Sequence, residues 1–251
     1  VTVALGRSHG VRIEGCTGIE IEACRVETVG GDGISVSGGE GHTVRGCEIR
    51  HVGGGGVLAK SAEPAPATFR IRILNNHIHH YDRIWKTYRA GVRLPGSSAA
   101  RFNLIHDGPH QAVAFGGADN EIAWNEIYRV CTDTEDAAAI YDFHDQSPGN
   151  VIAYNSIHDM PYIGGGHGAH AIYLDGGRYH VAIVGNVIRN IDSAALFIHG
   201  GHYNIFRNNI VANCRTFLQL MPVYKRLPRP WARVENNTLT DNIHWNSGQN
   251  A

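Results

Sequence analysis

Lysine is scarce in this chain: Lys60, Lys86 and Lys225 are the only three among 251 residues. Arginine supplies most of the positive charge, and Lys+Arg 22 nearly balances Asp+Glu 23. A formal net charge of −1 gives no polybasic surface, so neither nucleic acid nor an anionic membrane is an expected partner. No apolar run reaches the roughly 18 residues that a membrane-spanning helix needs. The five cysteines are odd in number and contain no C-x-x-C pair, which argues against a zinc ribbon or a disulfide scaffold. Apolar residues at three- and four-residue spacing are also nearly missing, so a helical bundle is excluded. No signal peptide is visible. The chain opens at Val1 in sequence that already reads as strand, and a solenoid needs capped ends. The 251 residues are therefore expected to be part of a longer chain, secreted or periplasmic.

What the chain does have is glycine (31), histidine (16) and a short recurring pattern. A small apolar run is followed by Asn or Cys, any residue, then Ile, Leu or Val. It reads Cys24-Arg25-Val26, Cys47-Glu48-Ile49, Asn76-His77-Ile78, Asn103-Leu104-Ile105 and Asn125-Glu126-Ile127. It continues as Asn155-Ser156-Ile157, Asn186-Val187-Ile188, Asn208-Asn209-Ile210 and Asn237-Thr238-Leu239. Successive anchors are 22 to 31 residues apart, a solenoid spacing and too short for propeller blades. After each anchor, often behind a glycine-rich turn, comes a second alternating stretch such as Ala139-Ile140-Tyr141-Asp142 or Ala171-Ile172-Tyr173-Leu174. The fold expected is all-β: a right-handed parallel β-helix (a pectate-lyase-like solenoid) of about nine coils, one domain over 1–251. Stacked Asn side chains should form an internal amide ladder, with the small Cys thiols fitting the same buried position.

In such a stack, residues at equal offsets on neighbouring coils sit about 4.8 Å apart. Strand alternation puts Ile140, Ile172 and Leu196 inside and the row Arg93, Ala114, Tyr141, Tyr173, Phe197 and Gln219 outside. An exposed aromatic row suits stacking on sugar rings, and Arg93 suits an acidic or hydroxylated substituent. Asp136, Asp142, Asp145 and Asp175 fall within two coils. Asp142 or Asp145 is placed next to Asp175, and Asp136 reaches it only if the preceding loop folds over the face. Paired carboxylates are the working parts of glycosidases, although a single Asp at a strand end more often caps a turn. His144, His167, His170 and His199 lie near the outward row. His79, His106 and His158 share one point of the repeat and read as turn residues. No spacing resembles a zinc signature. No resident cofactor is expected, with Ca²⁺ the one ion that Asp133-Thr134-Glu135-Asp136 could take. Segments 60–68, 81–89, 131–137, 160–170 and 221–233 break the period, and such loops usually build the groove of a solenoid.

Three stretches carry a family resemblance: Glu135-Asp136-Ala-Ala-Ala-Ile-Tyr141 through His144-Asp145, Gly149-Asn150 through Asp159, and Ala171-Ile-Tyr-Leu-Asp175 followed by Val184-Gly-Asn-Val-Ile188. Over roughly 130–215 the chain resembles the β-helix glycoside hydrolases of family 141, which include α-fucosidase and xylanase activities. The family's Gly-Arg-Asp appears here as Phe143-His144-Asp145, its Leu-Asp-Asp as Leu174-Asp175-Gly176, and the Gly of its Gly-Ala-Ile-Tyr as Ala138. The resemblance implies acid catalytic residues among Asp136, Asp145 and Asp175, with Tyr141, Tyr173, Arg93, His144, His199 and Phe197 as substrate contacts. The expected function is a glycoside hydrolase acting on plant or microbial polysaccharide. The alternatives are a polysaccharide lyase or epimerase acting on uronates, and a glycan-binding module without turnover.

Overall fold

In the computed structural model, residues 1–60, 71–142, 148–161, 163–223 and 233–247 are described. The repeat begins with a sharp corner. Phe102, Trp124 and Tyr154 adopt the left-handed conformation, with φ of 59°, 60° and 57°, and each precedes an Asn. A corner of this kind takes backbone groups out of the strand ladder, and burial makes their loss costly. The Asn side chains satisfy them. Asn125 Oδ1 accepts from the Asn103 backbone N–H at 3.0 Å and the Asn103 amide at 2.9 Å, while the Asn125 amide donates to the Ala100 carbonyl and to Asn155 Oδ1, both at 2.9 Å. The column continues through Asn76, Asn103, Asn125, Asn155, Asn186, Asn209 and Asn242. Cys47 holds the next place, its backbone N–H donating to Asn76 Oδ1 at 2.9 Å.

The ladder corrects two of the expected anchors. Asn208 is the left-handed corner residue (φ 56°), and Asn209 is the rung. Asn237 belongs to a different, shorter column on another face, where its Oδ1 accepts from the Asn204 backbone N–H at 3.0 Å. The rung of that coil is Asn242, and Ile210 pairs with Ile243.

All strands lie parallel to their neighbours and form a solenoid with three faces. One face carries the strands that follow the Asn column. A second carries strands such as Gln111–Phe115, Ala137–Asp142 and Ala169–Tyr179. The third is a separate nine-stranded sheet. Val187–His202 and Ile210–Met221 run from the first face into the second without a break, which merges those two into one sheet of 18 strands. Among the described residues there is no helix. Inside, identical positions stack. Ile49, Ile78, Ile105, Ile127, Ile157, Ile188 and Val211 form one fully buried column. Glycine is required where coils meet most closely: a Cβ on Gly56 would lie 2.3 Å from the Gly91 carbonyl oxygen and 2.6 Å from Ile78 Cγ2.

One buried group works against the fold. Asp82, at the start of the 81–89 corner, is fully enclosed and neither carboxylate oxygen has a hydrogen-bond partner. Burial pushes its pKa up to about 8, against a weaker pull from Arg89 and with a further push from Asp32. The unfolded chain has an ordinary carboxylate there, so between about pH 4 and pH 8 folding takes up a proton. Stability therefore falls as pH rises across that window, by up to about 1.4 kcal/mol per pH unit from this group. Asp82→Asn should flatten that part of the profile and raise the midpoint of thermal unfolding at pH 8. Parallel pH profiles of the two proteins would refute this assignment.

Candidate active site

The second face carries the predicted outward row. Register places Arg93 beside Ala114, Ala114 beside Tyr141, Tyr141 beside Tyr173, Tyr173 beside Phe197 and Phe197 beside Gln219. The three aromatic residues do not form an exposed platform. Tyr141, Tyr173 and Phe197 are only 8%, 3% and 3% exposed, and they pack with Ala138 and Ala194 into a second small core outside the sheet. The corners fold over them. The His170 ring lies 4.8 Å from that of Phe197 and 5.5 Å from that of Tyr173. His170 is buried, and burial lowers its pKa to about 4, so it is neutral at pH 7. Its Nε2 donates to the His167 carbonyl, and its Nδ1 accepts from Ser193 Oγ and the Ala194 N–H.

Tyrosine hydroxyls emerge from this small core at Asp175. Tyr141 donates to Asp175 Oδ2 at 2.7 Å, and His199 Nδ1 lies 2.8 Å from Asp175 Oδ1. His199 sits opposite Asp175 in the register. Tyr173 Oη lies 3.4 Å from the same His199 nitrogen. The sheet is irregular immediately afterwards, between Asp175 and Arg178, where Gly176 and Gly177 take positive φ. Asp136 arrives from the preceding corner, with its backbone N–H bound to the Gly168 carbonyl at 2.9 Å. Burial, then the charges of Asp175 and Asp136, hold the Tyr173 hydroxyl well above the usual tyrosine range. Burial and the hydrogen bond to Asp175 do the same for Tyr141. Both phenols are therefore protonated donors.

The structure thus brings Asp136, Asp175, Tyr141, Tyr173 and His199 together. Asp142 does not join them. It points into the stack, fully buried, and pairs with Arg178 Nε at 3.2 Å. Strand alternation explains this, because Asp142 follows the outward Tyr141. Asp145 and His144 lie outside the described residues. The acidic stretch 133–136 does not converge on one point: Asp133 pairs with Lys86, Glu135 accepts the His167 N–H at 3.1 Å, and Asp136 turns to the tyrosines. His79, His106 and His158 do share a column, together with Tyr128, as the repeat implies.

Beside Tyr141 a cavity of about 210 Å³ opens, lined by Tyr88, Arg89, Ala90, Arg93, Gln111, Ala114 and Tyr141. Arg93 is thus placed as expected, on the groove. Tyr88, Arg89 and Gln111 were not among the expected contacts. Tyr88 and Trp85 are exposed aromatics on the 81–89 corner, and Arg89 lies 5.3 Å above the Trp85 ring. The signal for them was the mixture of aromatic and basic residues in that corner. Lys86 joins the corner to Asp133, and His110 Nδ1 lies 2.6 Å from Thr134 Oγ1, so the two groove walls are tied together.

A stacked parallel fold with this rung pattern defines a class, and the family comparison agrees. The right handed beta helix region matches residues 9–166 and 67–222, and the chain belongs to that family. Searching curated proteins yields no match. Among solved structures, the chain is similar to one described as a glycoside hydrolase, with 18% identity, a TM-score of 0.60, and coverage of 97% of this chain and 39% of that one. It is also similar to the tailspike protein of E. coli bacteriophage HK620 in complex with a hexasaccharide (12% identity, TM-score 0.61, 98% of this chain and 49% of that one). An alginate lyase from Paenibacillus sp. str. FPU-7 matches at 15% identity and TM-score 0.55, over 95% of this chain and 98% of that one. The chain spans 39% of the glycoside hydrolase and 49% of the tailspike.

Proposed function

We propose that this β-helix is a carbohydrate-active enzyme, a glycoside hydrolase of a secreted or periplasmic protein, with Asp175 and Asp136 as its working carboxylates. The observation that carries the reading is Asp175 itself. It is part-exposed, next to the Tyr141 that lines the cavity, and is held on both oxygens, by Tyr141 at 2.7 Å and His199 at 2.8 Å. A carboxylate fixed in this way is aimed, and the charge of a second carboxylate, Asp136, acts on the neighbouring Tyr173 hydroxyl. A glycosidase needs two carboxyl groups of different environment, one to deliver a proton and one to act as nucleophile or base. The adjoining cavity offers Arg89, Arg93 and Gln111 for hydroxyl or carboxylate substituents, and Tyr88 for a sugar face. The likeness to family 141 supports an α-fucoside or xylan as substrate class. Turnover on a panel of neutral and acidic glycans, read as new reducing ends, tests the proposal. A panel without turnover, on a protein that still binds oligosaccharide, would leave a binding module instead.

One observation favours a second reading. His199 is oriented by Asp175 and could serve as the base that removes the C5 proton of a uronate. The tyrosines are poor candidates for that base, since both are pushed away from ionisation. An unsaturated product with ultraviolet absorbance separates this lyase reading from hydrolysis. In either case Tyr141→Phe should lower kcat roughly 10- to 100-fold with little change in KM, because one charge-assisted hydrogen bond aiming Asp175 is lost. Unchanged kcat would remove Tyr141 from the site.

A further inference from the structure

We propose that His77, His79 and His106 form a binding site for a late first-row divalent cation, Zn²⁺ by preference, at the base of the 81–89 corner. One nitrogen from each of the three lies within 4.8 Å of the other two. A zinc ion bound at about 2.0–2.1 Å places its ligand nitrogens roughly 3.3 Å apart, so small side-chain rotations close the set. Sequence spacing hides the site, because its members come from two coils. His77 and His79 alternate to the same side of one strand, and register sets His106 directly beside His79.

The hydrogen bonds fix which nitrogens face one another. His106 Nδ1 lies 2.7 Å from Asp107 Oδ2, and Asp107 is gripped by Arg129 at 2.7 and 2.9 Å. Held by Arg129, the Asp107 carboxylate accepts, and His106 Nδ1 donates to it. That leaves His106 Nε2 to accept a hydrogen bond from His77 Nε2 at 2.8 Å, and a bound ion would displace that proton. A carboxylate behind a ligand histidine is the usual outer support of a metal site. His79 Nδ1 lies 2.8 Å from His80 Nδ1, while its buried Nε2 has no hydrogen-bond partner, and the Glu48 carboxylate is 3.6 Å away. His79 and His106 are buried and His77 is half-buried, so the three rings meet largely out of solvent. Neutral imidazoles favour Zn²⁺, Cu²⁺ and Ni²⁺ over Mg²⁺ or Ca²⁺. Ring stacking along the His79, His106, Tyr128 and His158 column explains why those rings pile up. His77 stands outside that column and bonds His106 nitrogen to nitrogen, which brings the third ligand to the pair.

The chain leaves this strand at His80 and enters the corner that bears Trp85, Tyr88 and Arg89, so a bound ion anchors the start of that groove wall. The test uses the untagged full chain, freed of metal by dialysis against a chelator and titrated with Co²⁺. Saturation at one equivalent with visible ligand-field bands, displacement by Zn²⁺, and a thermal midpoint raised by several degrees are expected. His77→Ala and His106→Ala should abolish the bands, Asp107→Asn should weaken binding roughly 10- to 100-fold, and His158→Ala, two column positions beyond His106, should leave metal binding unchanged. Wild-type protein without saturable Co²⁺ or Zn²⁺ binding overturns the proposal whatever the variants do, and so does binding that survives both His→Ala changes.

Discussion

Asp175→Asn is expected to lower turnover roughly a thousandfold or more, the scale of a lost acid, base or nucleophile. Asn keeps the shape and can still accept from Tyr141, so the loss would report charge and proton transfer rather than collapse of the site. Asp136→Asn should also be severe, but with a different pH profile, since its carboxyl would play the opposite part to Asp175. Circular dichroism should show both variants folded, because neither carboxylate belongs to the Asn column or the inner core. If both variants keep wild-type turnover, the carboxylate mechanism fails. If Asp136→Asn alone is inert, the base role passes to the Asp175–His199 pair and the lyase reading gains.

The second large effect concerns stability. Asn125→Ala would strip partners from the Asn103 backbone N–H, the Asn103 amide and the Ala100 carbonyl, all deep in the stack. Each unsatisfied buried group costs about 1–3 kcal/mol, so the loss should be about 3–5 kcal/mol. A solenoid coil contacts only its neighbours, so the damage should be local. Hydrogen exchange should accelerate most at Asn103 and the adjoining rungs, and much less near Cys47. As a control, Ile127→Val removes one methylene from the adjacent buried column and should cost only about 1 kcal/mol. Equal losses for the two variants would show that the rungs contribute no more than ordinary packing.

The fold was legible because the rung residue is chemically special. Asn recurs where a left-handed corner needs an amide, and no other part of the coil imposes so strict a demand. The reading slipped where that signal was duplicated. Asn208 and Asn209 are adjacent, and Asn237 precedes a Thr-Leu-Thr strand that imitates an anchor while lying on another face. For the site, register arithmetic correctly paired Tyr141 with Tyr173, while the pairing of His199 with Asp175 emerges only in the structure. It could not show that the aromatics are covered: His170 stands in register beside Ala138, but its ring turns onto Phe197 and Tyr173 because its nitrogens bond the His167 carbonyl and Ser193. It ranked Asp136 below its neighbours because a corner residue has no register, yet the corner delivers Asp136 to the tyrosines. The histidine trio was missed for a related reason. Its members are ordinary in sequence and meet only across coils.

The rung spacing also has a consequence for how such a chain can change. Neighbouring Asn rungs are separated by 22 residues between Asn103 and Asn125 and 23 between Asn186 and Asn209, by 27 between Asn76 and Asn103, and by 30, 31 and 33 at the others. The rungs and the Ile column stay in register across coils of different length, so 22 residues suffice to close a coil. Insertion, deletion or exchange of a corner segment therefore leaves every rung in register. A designer could graft the wall of one such groove onto another, and natural drift in ligand preference needs no renegotiation of the core.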